Sequence, residues 1–179
     1  MDKYWRQHAE YAMKDHRVPV EDMKVLILGV ADVGVEVAKN VVVAGVHSVT
    51  LIDDNLVEIG HLGSNFLLQE EHIGSRTLAE ASADGLKELE RKTGVDVREM
   101  PDDGIPSGDM VLHHTVVVDC CLPLKKAIEL NNICRETRTA YLKSRVHGLF
   151  GYVFNDFGSR WTSSNPTGEA PHQIGRAHV

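Results

Sequence analysis

Residues 24–53 read KVLILGVADVGVEVAKNVVVAGVHSVTLID, and the fold follows from how that stretch is punctuated. Met23–Gly29 is a continuous apolar run that closes on glycine, the pattern of a parallel strand covered on both faces. Val33–Ala44 repeats its apolar residues at helical spacing, with Ala38, Val42 and Val43 turned inward and Gly45 as C-cap. Val46–Asp53 is a second buried strand. The whole is a strand, glycine turn, helix and strand of about 30 residues, a βαβ unit.

Working outward, Tyr4–Lys14 carries Tyr4, His8, Tyr11 and Ala12 at the spacing of a short helix. Asn55–Glu71 is irregular. Ser75–Lys92 predicts a helix capped by Ser75, with Ala79, Ala83, Leu86 and Leu89 as its buried stripe. Val95–Met100 predicts a strand, Pro101–Asp109 a loop, Val111–Asp119 a strand and Leu124–Thr137 a helix. Ala140–Ser144 and Gly151–Phe154 predict two more strands. Strands alternating with helices imply an α/β fold: a Rossmann-like, doubly wound, mostly parallel sheet with flanking helices. That domain is expected over residues 1–158. Residues 159–173 turn to Gly, Ser, Pro and Thr and read as a linker or the start of a following domain. Residues 174–179, IGRAHV, resemble a translated sequencing adapter, so the protein is expected to continue beyond Gln173.

Composition narrows the function. The chain has 179 residues, 42% hydrophobic and 6% aromatic, with 19 cationic against 26 acidic side chains and a net charge of −7. No basic stretch exceeds two adjacent residues, which argues against a nucleic-acid surface. The longest apolar runs fall well short of the ~20 residues of a bilayer span, so no membrane partner is expected, and the N-terminus has no apolar signal core. Cys120, Cys121 and Cys134 form neither a disulfide framework nor a zinc pattern. A reduced cytoplasmic or nuclear setting is expected.

The first turn, Gly29-Val30-Ala31-Asp32-Val33-Gly34, is where a nucleotide fold offers backbone N–H groups to phosphate. Gly29 suits the tight turn and Gly34 the close packing of helix on strand. Ala31 replaces the middle glycine, and the Asp32 carboxylate beside it opposes a phosphate by bulk and charge. Asp53 lies about 20 residues past Gly34, where a ribose-binding acid sits. The turn thus reads as nucleotide-binding-like but degenerate. No metal site is expected: His113 and His114 fall in one predicted strand and point to opposite faces. Cys120 and Cys121 have no base beside them in sequence.

Four segments together resemble the ubiquitin-activating enzyme family, in its N-terminal, catalytically inactive adenylation half. They are residues 25–46 followed by VTLIDD; Tyr4-Trp5-Arg6-Gln7, similar to Y-x-R-Q; Phe66-Leu67-Leu68 with Ile73-Gly74, similar to F-L-x-x-x-D-I-G; and GLFG at Gly148–Gly151 running on to Phe157-Gly158. The departures mark the inactive half. His61-Leu62-Gly63-Ser64-Asn65 stands for the family's phosphate-contacting N-L-N-R-Q, Thr77 for its lysine, Leu122 for its metal-binding aspartate and Asn55 for the second acid of D-x-D. Adenylyl transfer needs those charges.

The resemblance implies that this chain alone is inactive and that it pairs with an active adenylation half, in the same chain or in a partner subunit. That half would bind ATP and magnesium and act on ubiquitin or a ubiquitin-like protein. It further implies that Arg6 crosses to the partner half's ATP site, as a fork of donors for phosphate oxygens. Two alternatives compete: the small subunit of a SUMO-activating enzyme and, from the G-x-A-x-x-G turn with Asp53, an NAD-dependent oxidoreductase domain. The tail Pro166-Thr167-Gly168-Glu169 resembles the ubiquitin enzyme's passage into its next domain and favours the first reading.

Overall fold

The computed structural model describes residues 19–159. Within them lie strands β1 (Lys24–Leu28), β2 (Ser48–Ile52), β3 (Gly94–Val97), β4 (Val116–Asp119), β5 (Ala140–His147) and β6 (Phe150–Asp156). The helices are α1 (Val33–Val43), α2 (Leu78–Leu89), α3 (Gly108–Leu112) and α4 (Leu124–Thr137), with three short 3-10 turns besides. The strands form one sheet in the order β3-β2-β1-β4-β5-β6. The first five run parallel, and β6 returns antiparallel to β5. This is the doubly wound α/β architecture that the sequence predicts.

Both faces are covered because each central strand is apolar on both sides. In β1, Val25 and Ile27 join Val49 and Leu51 of β2 against Val35, Ala38 and Val42 of α1 and Ala83 and Leu86 of α2. Leu26 and Leu28 face the other way, toward Val117, Val111 of α3 and Ala127, Leu130 and Cys134 of α4. A smaller cluster of Val57, Leu68, Leu78 and Ala81 anchors the long connection between β2 and α2.

Several boundaries differ from the sequence reading. Thr77, not Ser75, caps α2: its Oγ accepts the Glu80 N–H at 3.2 Å, while its own N–H donates to Glu80 Oε2 at 3.0 Å. The Ser75 hydroxyl instead donates to the carbonyls of Glu71 and His72. Leu89 and Val43, expected inside, are exposed. The predicted strand over 111–119 is two elements. Val111 and Leu112 close the short helix α3, capped by Ser107 Oγ, and only Val116–Asp119 pairs in the sheet. His113 and His114 therefore do not alternate along a strand. The expected helix at residues 4–14 lies outside the described residues, as do Arg6 and residues 160–179.

Candidate functional site

In doubly wound sheets the ligand crevice opens at the carboxyl ends of the strands where the winding reverses. Here that point lies between β1 and β4, and three segments converge on it: the glycine turn after β1, Asp53 after β2 and the Asp119–Leu122 turn after β4.

The glycine turn is built as its sequence requires. Gly29 has φ +83°, and a Cβ added to it would come within 2.6 Å of Cys121 Cβ. Gly34 lies so close to the turn that a Cβ there would overlap the Gly29 carbonyl. Ala31 is half-buried and leans on the Val57–Leu68 cluster. Asp32 is exposed, precedes α1 and makes no side-chain cap to it. It holds φ 46° and ψ −113°, a conformation that only glycine adopts without strain.

Asp53 is buried at 6% exposure, and both of its oxygens are occupied. Oδ2 accepts the Val30 N–H at 2.8 Å, while Oδ1 accepts the backbone N–H of Asn55 and its side-chain amide at 2.8 Å. The acid in the ribose position thus ties the glycine turn to the end of β2.

Of the positions set against the family's catalytic groups, Gly63 and Ser64 are exposed, while Asn65, Thr77, Leu122 and Asn55 are bonded or packed within the fold. Asn65, 1% exposed, donates from Nδ2 to the Val30 carbonyl and to Ser82 Oγ, and its Oδ1 accepts the Leu67 N–H. Thr77 caps α2, and Leu122 is buried among apolar side chains. Asn55 is held by Asp53. No free carboxylate stands where Leu122 is, and no cation where Thr77 is. At these two positions the chain offers a nucleotide triphosphate and its metal ion neither a carboxylate nor a cation.

The structure also assembles a cluster that sequence reading missed. Asp119, fully buried at the end of β4, accepts four bonds. The backbone N–H groups of Cys121 and Leu122 donate to Oδ1 at 3.1 and 2.8 Å. The Tyr141 hydroxyl and the Lys143 ammonium donate to Oδ2 at 2.8 and 2.7 Å. Lys143, itself 4% exposed, also reaches the Leu122 carbonyl at 2.8 Å. Burial and the Asp119 carboxylate push the Tyr141 hydroxyl far above its ordinary range. The available signal was the alternation in Ala140-Tyr-Leu-Lys143, which puts Tyr141 and Lys143 on one face of a strand beside Asp119.

The cysteines beside this cluster are poor nucleophiles. Burial first, and then the Asp119 carboxylate, push the thiols of Cys120 and Cys121 up to about 12. His114, read from sequence as a strand residue, is instead a linker: its ring bridges the Met110 carbonyl at 2.8 Å and Thr50 Oγ1 at 3.0 Å. Burial lowers its pKa, partly offset by the bond to Met110.

The ThiF family model matches residues 4–162. The chain is 38% identical over 177 residues to "Ubiquitin-activating enzyme E1 2" of Triticum aestivum, covering 96% of this chain and 16% of that protein. It is 38% identical over 173 residues to "Ubiquitin-activating enzyme E1 2" of Arabidopsis thaliana, with the same coverage. It is 32% identical over 160 residues to "Ubiquitin-like modifier-activating enzyme 7" of Homo sapiens, covering 89% of this chain and 15% of that protein. The chain thus spans about a sixth of the length of these relatives.

Proposed function

Because the chain belongs to the ThiF family, we propose that it is the non-adenylating half of a ubiquitin-activating enzyme and works by pairing with an active half. The observation that carries this reading is the commitment of the Asp53, Asn65, Thr77 and Leu122 side chains to internal structure. Both oxygens of Asp53 are bonded within the fold, Asn65 and Thr77 hold backbone groups, and Leu122 lies in the core.

In the whole enzyme, ATP and magnesium would be held by the active half. A carboxylate, a poor electrophile, would there become an acyl-adenylate with release of pyrophosphate, and a cysteine thiolate would then take the acyl group and release AMP. The names of the relatives point to ubiquitin or a ubiquitin-like protein as the acid. The family match favours this reading over an NAD-dependent oxidoreductase. Exposed apolar side chains support a partner: Leu149 is fully exposed at the β5–β6 turn, with Phe150 at 82% and Val153 at 71% on β6.

Arg6 is the residue by which this half would touch the chemistry, as a guanidinium supplied in trans to the ATP phosphates. Arg6→Ala in the intact enzyme is expected to slow ATP–pyrophosphate exchange by at least about a hundredfold, the scale of losing one preorganised donor. An unchanged exchange rate would remove Arg6 from the mechanism. A reduced yield of assembled enzyme with normal exchange would make it an assembly residue.

A further inference from the structure

We propose that Asp119, Tyr141 and Lys143 form a latch that holds the β4–α4 turn down on the glycine turn. The latch fixes the shape of the crevice from outside the turn's own sequence.

Three observations converge on it. First, Asp119 binds the turn at the N–H groups of Cys121 and Leu122, and Lys143 binds it at the Leu122 carbonyl. One carboxylate and one ammonium from neighbouring strands thus grip both polarities of the same backbone. Second, the turn so gripped is the one that touches Gly29, with Cys121 Cβ, Sγ and N all within 3.3 Å of where a Gly29 Cβ would be. Cys120 approaches Gly34 in the same way, its Cβ 3.4 Å from the corresponding point. Third, the glycine turn holds a strained residue, Asp32, with no capping bond of its own. Strained backbone persists only where its surroundings over-determine it. On one side those surroundings are the Asp53–Val30 bond, and on the other the latched turn.

The buried pair also makes sense in these terms. An ammonium and a carboxylate taken out of water are weak contributors to stability unless their remaining hydrogen-bonding capacity is used. Here it is used on the turn. The inference does not depend on the enzyme to which the chain belongs, because it concerns only what fixes the turn.

The test uses the full 179-residue chain, whose three thiols report separately. Cys120, half-buried, sits on the latched turn against Gly34, and Cys134 is fully buried in α4, so its labelling reports a wider opening of the core. Iodoacetamide labelling of each is followed by mass spectrometry for the wild type, Lys143→Met and Tyr141→Phe. The Lys143 charge lowers the Cys120 pKa. Its removal by charge alone would therefore slow Cys120 labelling, whereas release of the latch speeds it.

We expect Cys120 labelling to rise about tenfold relative to Cys134 in Lys143→Met, the scale of one lost charge-assisted bond. A smaller rise is expected in Tyr141→Phe, accompanied by faster amide exchange at residues 30–34. Slower Cys120 labelling in Lys143→Met would overturn the latch and leave only an electrostatic role. Should Lys143→Met fail to fold, Tyr141→Phe decides alone. A Cys120 to Cys134 ratio equal to that of the wild type would then reduce the cluster to ordinary core packing.

Discussion

Asp32 carries a side chain where the backbone, at φ 46° and ψ −113°, calls for none. Replacing it with glycine relieves strain of about 1–3 kcal/mol, against roughly 0.5–1 kcal/mol of added freedom in the unfolded chain. Asp32→Gly is therefore expected to stabilise the domain by about 1 kcal/mol, read as a higher midpoint in urea denaturation. The sequence places an acid in the turn, but the strain of Asp32 depends on a dihedral pair that sequence does not specify. His114 acts through protonation. Burial lowers its folded pKa below 6.5, so the unfolded chain takes up this proton first as pH falls. Its contribution is complete above pH 6.5 and declines below it, until the folded ring titrates as well. Stability measured from pH 7 to 5 should fall less steeply in His114→Gln than in the wild type. Equal slopes would assign the acid sensitivity to other groups. Asp53 shows where reading residues singly stops. Its place at the strand end was legible, whereas its full occupancy by Val30 and Asn55 arises only once β2 meets the glycine turn.

At the level of elements, α2 depends on its first turn. Thr77 and Glu80 satisfy each other's backbone N–H groups, so Thr77→Ala is expected to lower stability by about 1 kcal/mol. Ser75→Ala, which leaves that box intact, should cost less. Comparing the two by thermal denaturation checks the assignment of the cap. The T-x-x-E pattern is present in the sequence, at Thr77 and Glu80, and Ser75 is a hydroxyl residue of the same capping type two positions earlier. The other elements divide along similar lines. The central strands and α4 were legible because long apolar or helical runs leave little choice, and α4 starts and stops at the residues expected. The short helix α3 was not. Five residues are too few for a 3.6-residue period to show, so Val111 and Leu112 merged with the strand that follows. Ser107 marks its start, its Oγ accepting the Met110 N–H at 3.3 Å and its carbonyl the Val111 N–H at 3.0 Å.

Among the described residues, the sheet ends on β6, which pairs only with β5. All of β6 but Asp156 is exposed, with Phe150, Tyr152 and Phe154 on one face of the strand and Val153 on the other. A free strand edge with apolar side chains is a template for association. The isolated chain is expected to self-associate with rising concentration by light scattering. Val153→Lys should suppress this without lowering the melting temperature, since Val153 is 71% exposed. Association at wild-type strength in that variant would place the contact elsewhere. The strand order has a different consequence, concerning the birth of the chain. β1 lies between β2 and β4, and its Val25 pairs with Val49 on one side and Val116 on the other. The second partner arrives only after some 90 further residues have been made, and long-range pairing of this kind is slow. Until then the most apolar strand of the domain is itself an open edge. The interval between synthesis of β2 and of β4 is thus when a nascent chain most needs shielding, and a ribosome stalled there would present its aggregation-prone core to the cell.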